Sequence, residues 1–442
     1  MQDGRLSIER VQMEGRNKTH SLVTGNITWG MLWFAVPMIL GNLLQQFYNI
    51  ADTLMIFLTS VLLGLCMGSG VVFSLQYGAR DHEALKRSIF VSLVLIGVIT
   101  LLLNIAVFVW IDPILRLLQV PAEVYILMRD YLWIIFGGIG FTFLYNYYAS
   151  LLRAVGNSVL PLVFLAVAVV LNIVLDLVFI LSFGWGVRGA ALATVIAQAV
   201  SGIGLCFYSL YRFPDFRVSR QNMQLKWATV KEIATYSSLT CAQQSVMNFG
   251  ILMVQGLINS FGTAVMAGFA AAVKIDSFAY MPVQDFGNAF STFIAQNFGA
   301  GKHERIRKGI RVAVRVTLIF CLIISVLVFV LARPLMLIFI PAHETEIISI
   351  GVEYLRIEGA FYCGIGWLFL LYGFYRAVRK PGMSVVLTVI SLGVRVALAY
   401  TLAAIPGIGV WGIWWSIPIG WFLADIFGWC YYRMKQRKSL EW

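Results

Sequence analysis

Charge is scarce in this chain. Asp, Glu, Lys and Arg make up 12% of its 442 residues, against about 25% in a soluble fold. Acids are the scarcer sign, with 21 Asp and Glu against 33 Lys and Arg. Catalytic constellations are missing as well. There is no HExxH, GxSxG or phosphate-loop pattern, and no histidine–acid cluster within an apolar stretch, so the residues offer no enzyme chemistry. The six cysteines (Cys66, Cys206, Cys241, Cys321, Cys363, Cys430) all lie in apolar segments without CxxC spacing. They read as small packed hydrophobes, and neither a disulfide framework nor a zinc site is implied. No cleavable leader is expected either, because the segment up to Thr28 is polar and mixed in charge.

What is present is apolar length. The composition is 60% hydrophobic, mean hydropathy is +0.83, and runs of about 20 apolar residues recur, each long enough to cross a bilayer core. The expected fold is all-α and polytopic. The net charge of +12 does not point to nucleic acid. The basic residues fall between alternate apolar runs: Arg80 to Arg87, Arg153, Arg212 to Lys231, Lys302 to Lys308, Arg376 to Lys380 and Arg433 to Lys438. The intervening connections carry almost none. This is the positive-inside pattern, and it puts both termini in the cytoplasm.

The chain also repeats itself. "YLWIIFGGIG" from Tyr131 matches "YLRIEGAFYCG" from Tyr354, "LLRAVGN" matches "FYRAVRK", and "GWGVRGAA" matches "GIGVWGIW", each pair 223 residues apart. Two parallel six-helix repeats follow, related by an axis along the membrane normal. The expected organisation is a tail over residues 1–28, a lobe over 29–210, a connector over 211–231, a second lobe over 232–432 and a basic tail over 433–442. Near the start the offset falls from 221 to 199, leaving the first half 22 residues short. Charge parity favours a short hairpin turning between Asp52 and Leu58, giving twelve crossings. One tilted crossing, giving eleven, is the alternative. Among the later crossings, 125–150 and 350–374 are each expected to be continuous.

Ionisable and amide groups inside a bilayer are expensive, so they are functional candidates by default. In "NIVLDLVF", Asn172 and Asp176 stand four apart on one helix face. With Thr194 on the next helix they offer oxygen ligands to a small hard cation such as Na⁺, or a carboxyl for a proton. Tyr131 and Asn146 on the fourth crossing would extend this polar cluster. The competing reading is interhelical hydrogen bonding alone. In the second half, Gln243 and Gln244 mark a polar stripe suited to a solvated cavity, and Lys274, Asp276 and Arg395 either line that cavity or pair structurally. Glu358 and Asp425 are the candidate counter-charges for Arg395.

These segments resemble the multidrug and toxic compound extrusion (MATE) family, and within it the DNA-damage-inducible F-like bacterial branch. The resemblance rests on "YNIADT", "RAVGN", "LNIVLD" and "FAYMPVQDFGNAFSTFIAQNFGAGK", in that order, and covers Trp29 to Tyr432. It implies twelve helices in two lobes around a central cavity, alternating access, and export of small organic cations in exchange for Na⁺ or H⁺. It implies no cofactor, a bacterial inner-membrane location and a monomer. Position by position, it makes Asp52, Asn172, Asp176 and Thr194 the ion-coupling set, with Tyr131 and Asn146 beside them. The rivals are a flippase for lipid-linked precursors, which needs a basic cavity, and a non-transporting paralogue impaired by the missing 22 residues.

Overall fold

The computed structural model describes residues 26–28, 30–31, 53–117 and 122–438. Helices dominate because lipid offers no water to satisfy peptide groups, so each crossing must close its own hydrogen bonds. In chain order they are α1 (Thr53–Gly78), α2 (His82–Leu117), α3 (Ala122–Gly137), α4 (Ile139–Ala154), α5 (Val159–Leu177), α6 (Gly186–Arg212) and α7 (Trp227–Asn259). The rest are α8 (Thr263–Gly299), α9 (His303–Met336), α10 (Thr345–Ala360), α11 (Tyr362–Ala377), α12 (Pro381–Ala403) and α13 (Val410–Lys438). Among the described residues, eight helices are long and apolar enough to cross a membrane, nine if the bent pair α10–α11 is one span.

The described part of the first hairpin differs from expectation. Helix α1 runs without a break from Thr53 to Gly78, 26 residues, or about 39 Å at 1.5 Å per residue. Thr59 and Ser60, the polar pair just beyond the expected turn, lie inside it. This crossing is therefore full length, and no turn falls between Thr53 and Leu58. Asp52 lies outside the described residues.

Two crossings expected to be continuous are broken, and at repeat-related positions. Gly138 separates α3 from α4 and Phe361 separates α10 from α11, 223 residues on. The local bonding is the same at both. The Gly138 amide donates to the carbonyl of Ile135 (2.9 Å) and its own carbonyl accepts from Phe141 (2.9 Å). Phe361 donates to Glu358 (3.0 Å) and accepts from Gly364 (2.8 Å). Tightened i to i+3 bonds of this kind interrupt the α-helical ladder, and the second pair is bent by 53°.

Backbone strain repeats too. Left-handed residues pair across the halves as Arg80 with Gly301, Gly156 with Arg379, Gly184 with Gly407 and Gly186 with Gly409. Gly262 has no counterpart among the described residues. At Arg80 and Gly301, and at Gly156 and Arg379, the two halves share backbone conformation where their side chains differ, which supports the repeat beyond residue identity.

The halves meet through glycines. A Cβ on Gly64 would lie 2.7 Å from Cys241 Cα, and one on Gly68 would lie 2.4 Å from the Tyr236 carbonyl oxygen. Helix α7 therefore packs backbone to backbone on α1, as small residues allow in lipid. At the basic-loop end, Gly78 of α1 abuts Gln296, and its repeat mate Gly299 of α8 abuts Leu75, each hypothetical Cβ falling 2.0 Å from a carbonyl oxygen. Across the same seam Gln296 Nε2 donates to the Ala154 carbonyl (2.7 Å) and Ser237 Oγ to that of Leu65 (3.0 Å). Apolar side chains such as Val163, Val167, Val170 and Ile173 on α5 remain exposed, as a lipid-facing stripe requires.

Candidate functional site

Above that seam lies a cavity of 360 Å³. The first half lines it with Thr59, Ser60 and Met67 of α1 and with Ser150 and Arg153 of α4. The second half adds Gln244 and Asn248 of α7, Asp276, Tyr280 and Asn288 of α8, Tyr354 and Glu358 of α10, Arg376 of α11 and Arg395 of α12.

An acidic cluster forms its second-half wall. Tyr354 and Glu358 stand one turn apart on one face of α10, and Tyr362 opens α11 just past the bend. Tyr362 donates its hydroxyl to Asp276 Oδ1 at 2.6 Å. Asp276 and Glu358 are each only 3% exposed. Glu358 and Arg395 stand near enough to act on the charge of Asp276. Glu358 Oε2 and Arg395 Nε are buried without a hydrogen-bond partner among the described residues. Close packing brings Arg395 here: a Cβ on Gly420 would lie 2.4 Å from the Ser391 carbonyl oxygen and 3.4 Å from Arg395 Cβ. Two carboxyls against one guanidinium leave one negative charge in excess when all are ionised. In a low-dielectric wall such an imbalance is strongly felt, and a bound cation or a proton neutralises it.

The first-half candidates lie apart from this wall. Asn172 is buried and its Nδ2 donates to Thr194 Oγ1 at 3.3 Å. Asp176 is one turn further along α5, half-buried, with Oδ1 shielded and without a hydrogen-bond partner among the described residues. Directly after it the helix widens into a π-turn over Val178–Ser182, a departure that favours functional positions and that the sequence pattern did not signal. Asn146 is spent on the Thr142 carbonyl (2.8 Å), and Thr142 in turn donates to Gln198 Oε1 (2.6 Å). Asn172, Asp176, Thr194, Tyr131 and Asn146 do not line the central cavity.

Of the second-half candidates, Gln244, Asp276 and Arg395 line the cavity, while Gln243 and Lys274 do not. Adjacent helical residues point about 100° apart, so Gln243 packs into the α7 interface, where it is buried. Lys274 turns away and sets its ammonium 6.0 Å from the centroid of the Phe339 ring. Asp425 also stays off the cavity, with both carboxyl oxygens shielded. Arg153 and Arg376, which the charge pattern assigned to topology alone, line the cavity instead. Their recurrence in the "RAV" repeat was the available signal.

A family model described as MatE matches residues 54–178 and 239–401. The chain is 29% identical over 447 residues to the probable multidrug resistance protein YpnP of Bacillus subtilis, covering 96% of this chain and 99% of that one. It is 25% identical over 422 residues to the probable multidrug resistance protein NorM of Thermotoga maritima, covering 90% and 89%. A crystal structure of MATE in the bent conformation superposes with a TM-score of 0.88 at 21% identity, over 95% of this chain and 97% of that one. The outward-facing conformation of a multidrug resistance MATE family transporter of the MOP superfamily gives 0.87 at 21% identity, over 94% and 97%. At that identity the structures speak for the fold.

Proposed function

This polytopic membrane protein belongs to the MATE family, a family of transporters rather than enzymes, and from that premise we propose that it is a secondary active antiporter exporting cationic amphiphilic drugs or toxins in exchange for Na⁺ or H⁺. The observation that carries the reading is the excess acid of Asp276 and Glu358 over Arg395 in the wall of a cavity between two repeats. Its volume of 360 Å³ suits a drug-sized ligand, for which pockets run from about 300 to 1,000 Å³. The multidrug names of the relatives point the same way.

In this reading Asp176, Asn172 and Thr194 hold the coupling ion in the first half, with Asp52 contributing from outside the described residues. The ion drives exchange only by binding one orientation of the lobes better than the other. The protein would work as a monomer in the bacterial cytoplasmic membrane with both termini inside, an orientation supported by the basic connections.

The test is ion-driven ethidium efflux from proteoliposomes. Asp176→Asn should abolish dependence on the ion gradient while ethidium still binds, whereas Glu358→Gln should raise the KM for ethidium. Undiminished coupling in the first variant would remove the ion assignment. Unchanged KM in the second would remove the cation wall.

A further inference from the structure

We propose that the floor of the cavity is a carboxylate-binding subsite built from Arg153 and Arg376, so that the preferred cargo is a zwitterionic amphiphile rather than a simple cation. This rests on the transporter reading above and names its substrate class.

The two arginines occupy the same place in the two repeats, in the last turns of α4 and α11, and both line the cavity. Arg376 is 5% exposed. It donates through Nη2 to Asn288 Oδ1 (2.9 Å) and through Nε to the Tyr372 carbonyl (3.3 Å), both neutral acceptors. It reaches Asn288 because α11 and α8 touch at their backbones, where a Cβ on Gly373 would lie 2.5 Å from the Gly287 carbonyl oxygen. Arg153 Nε is buried without a hydrogen-bond partner among the described residues. No ion pair joins either guanidinium to an acid among those residues. A buried cation without a counter-charge is costly, and a guanidinium fork is shaped to take a carboxylate through two hydrogen bonds.

The cavity is thus bipolar. Its wall carries the excess acid of Asp276 and Glu358, and its floor sets two arginines against one carboxylate, Asp285, which lines the cavity one turn from Asn288 on α8. A ligand with an ammonium at one end and a carboxylate at the other satisfies both. A phosphate dianion offers the floor a similar anion, but the acidic wall repels its second charge.

The probes are rhodamine B, a zwitterion with a free carboxylate, and its ethyl ester, which is cationic only. Binding to the full-length protein in detergent is read by fluorescence anisotropy. The wild type should hold rhodamine B more tightly than the ester. Arg153→Gln and Arg376→Gln should each weaken rhodamine B about tenfold, the scale of one charge-assisted hydrogen bond, and should tighten the ester by removing a positive charge. Opposite movement of the two dyes separates lost recognition from a damaged fold, which weakens both. Lys at either position should restore part of the preference. Equal wild-type affinity for the dyes, or parallel loss in the variants, would overturn the subsite while ester binding leaves the transporter reading standing. Failure of both dyes to bind the wild type would overturn both. Displacement of rhodamine B by a short-chain phosphatidic acid, but not by a short-chain fatty acid, would assign the floor to phosphate and overturn the carboxylate.

Discussion

Alanine at Gly299 or Gly78 should shift the transporter between its alternating conformations. Each Cβ would sit 2.0 Å from a carbonyl oxygen of the opposing helix, that of Leu75 or Gln296. An unstrained carbon–oxygen approach is about 3.3 Å, so the helices must separate by roughly 1.3 Å at the seam that closes the cavity. The neighbours cannot yield alone, because the obstructing atoms are backbone and Gln296 is tied to the Ala154 carbonyl at 2.7 Å. Overpacking of this kind costs about 1–3 kcal/mol. A conformation in which the lobes part at this end avoids that cost. The equilibrium therefore moves toward it by the same amount, roughly 5- to 150-fold.

Asp81 and Lys302 follow the two glycines at repeat-related positions and suit nitroxide pairs for double electron–electron resonance. Either alanine variant should move the distance distribution toward the longer, parted population, and the double variant should move it further. A protein that keeps the wild-type distribution but unfolds at lower temperature would refute the reasoning. That result would mean the contact persists in both conformations and is plain packing rather than a seal.

Other consequences are more local. Arg379 holds φ at 60° where its repeat mate is Gly156 at 89°, so Arg379→Gly should stabilise the detergent-solubilised protein by about 0.5–1 kcal/mol in thermal unfolding, and Gly156→Ala should do the reverse. Because Lys274 lies against Phe339 and off the cavity, Lys274→Ala should leave the KM for ethidium within about twofold. Gln244→Ala, which alters the lining, should raise it. Losing the Asn172 to Thr194 bond by Asn172→Ala should cost about 1 kcal/mol of stability and weaken the ion dependence of efflux, while Asn172→Asp, which keeps an oxygen ligand, should retain that dependence.

Repeats and membrane spans were legible because they depend on composition and on an offset that recurs along the chain. The breaks at Gly138 and Phe361 were not, because the two residues share no chemistry; only the backbone bonding around them is common. Asp176 stood out as a carboxylate in a long apolar run, yet Glu358 was named only as a counter-charge, since its importance depends on helices distant in sequence that bring Asp276 and Arg395 beside it. Lys274 and Asp276 looked equivalent two residues apart, and helical rotation sends one to a ring and the other to the cavity. Arg153 and Arg376 pose the deeper problem. A basic residue at the loop end of a crossing satisfies the positive-inside rule whether it faces water or a binding site, because that rule counts charge and is blind to direction. Their repeat symmetry sharpens the point: a pair kept only for topology could sit anywhere in its loop, whereas these two hold one register and meet one cavity. A cation that alternating access must expose first on one side and then on the other is best built near the loop end, where the same charge orients the helix and receives the ligand.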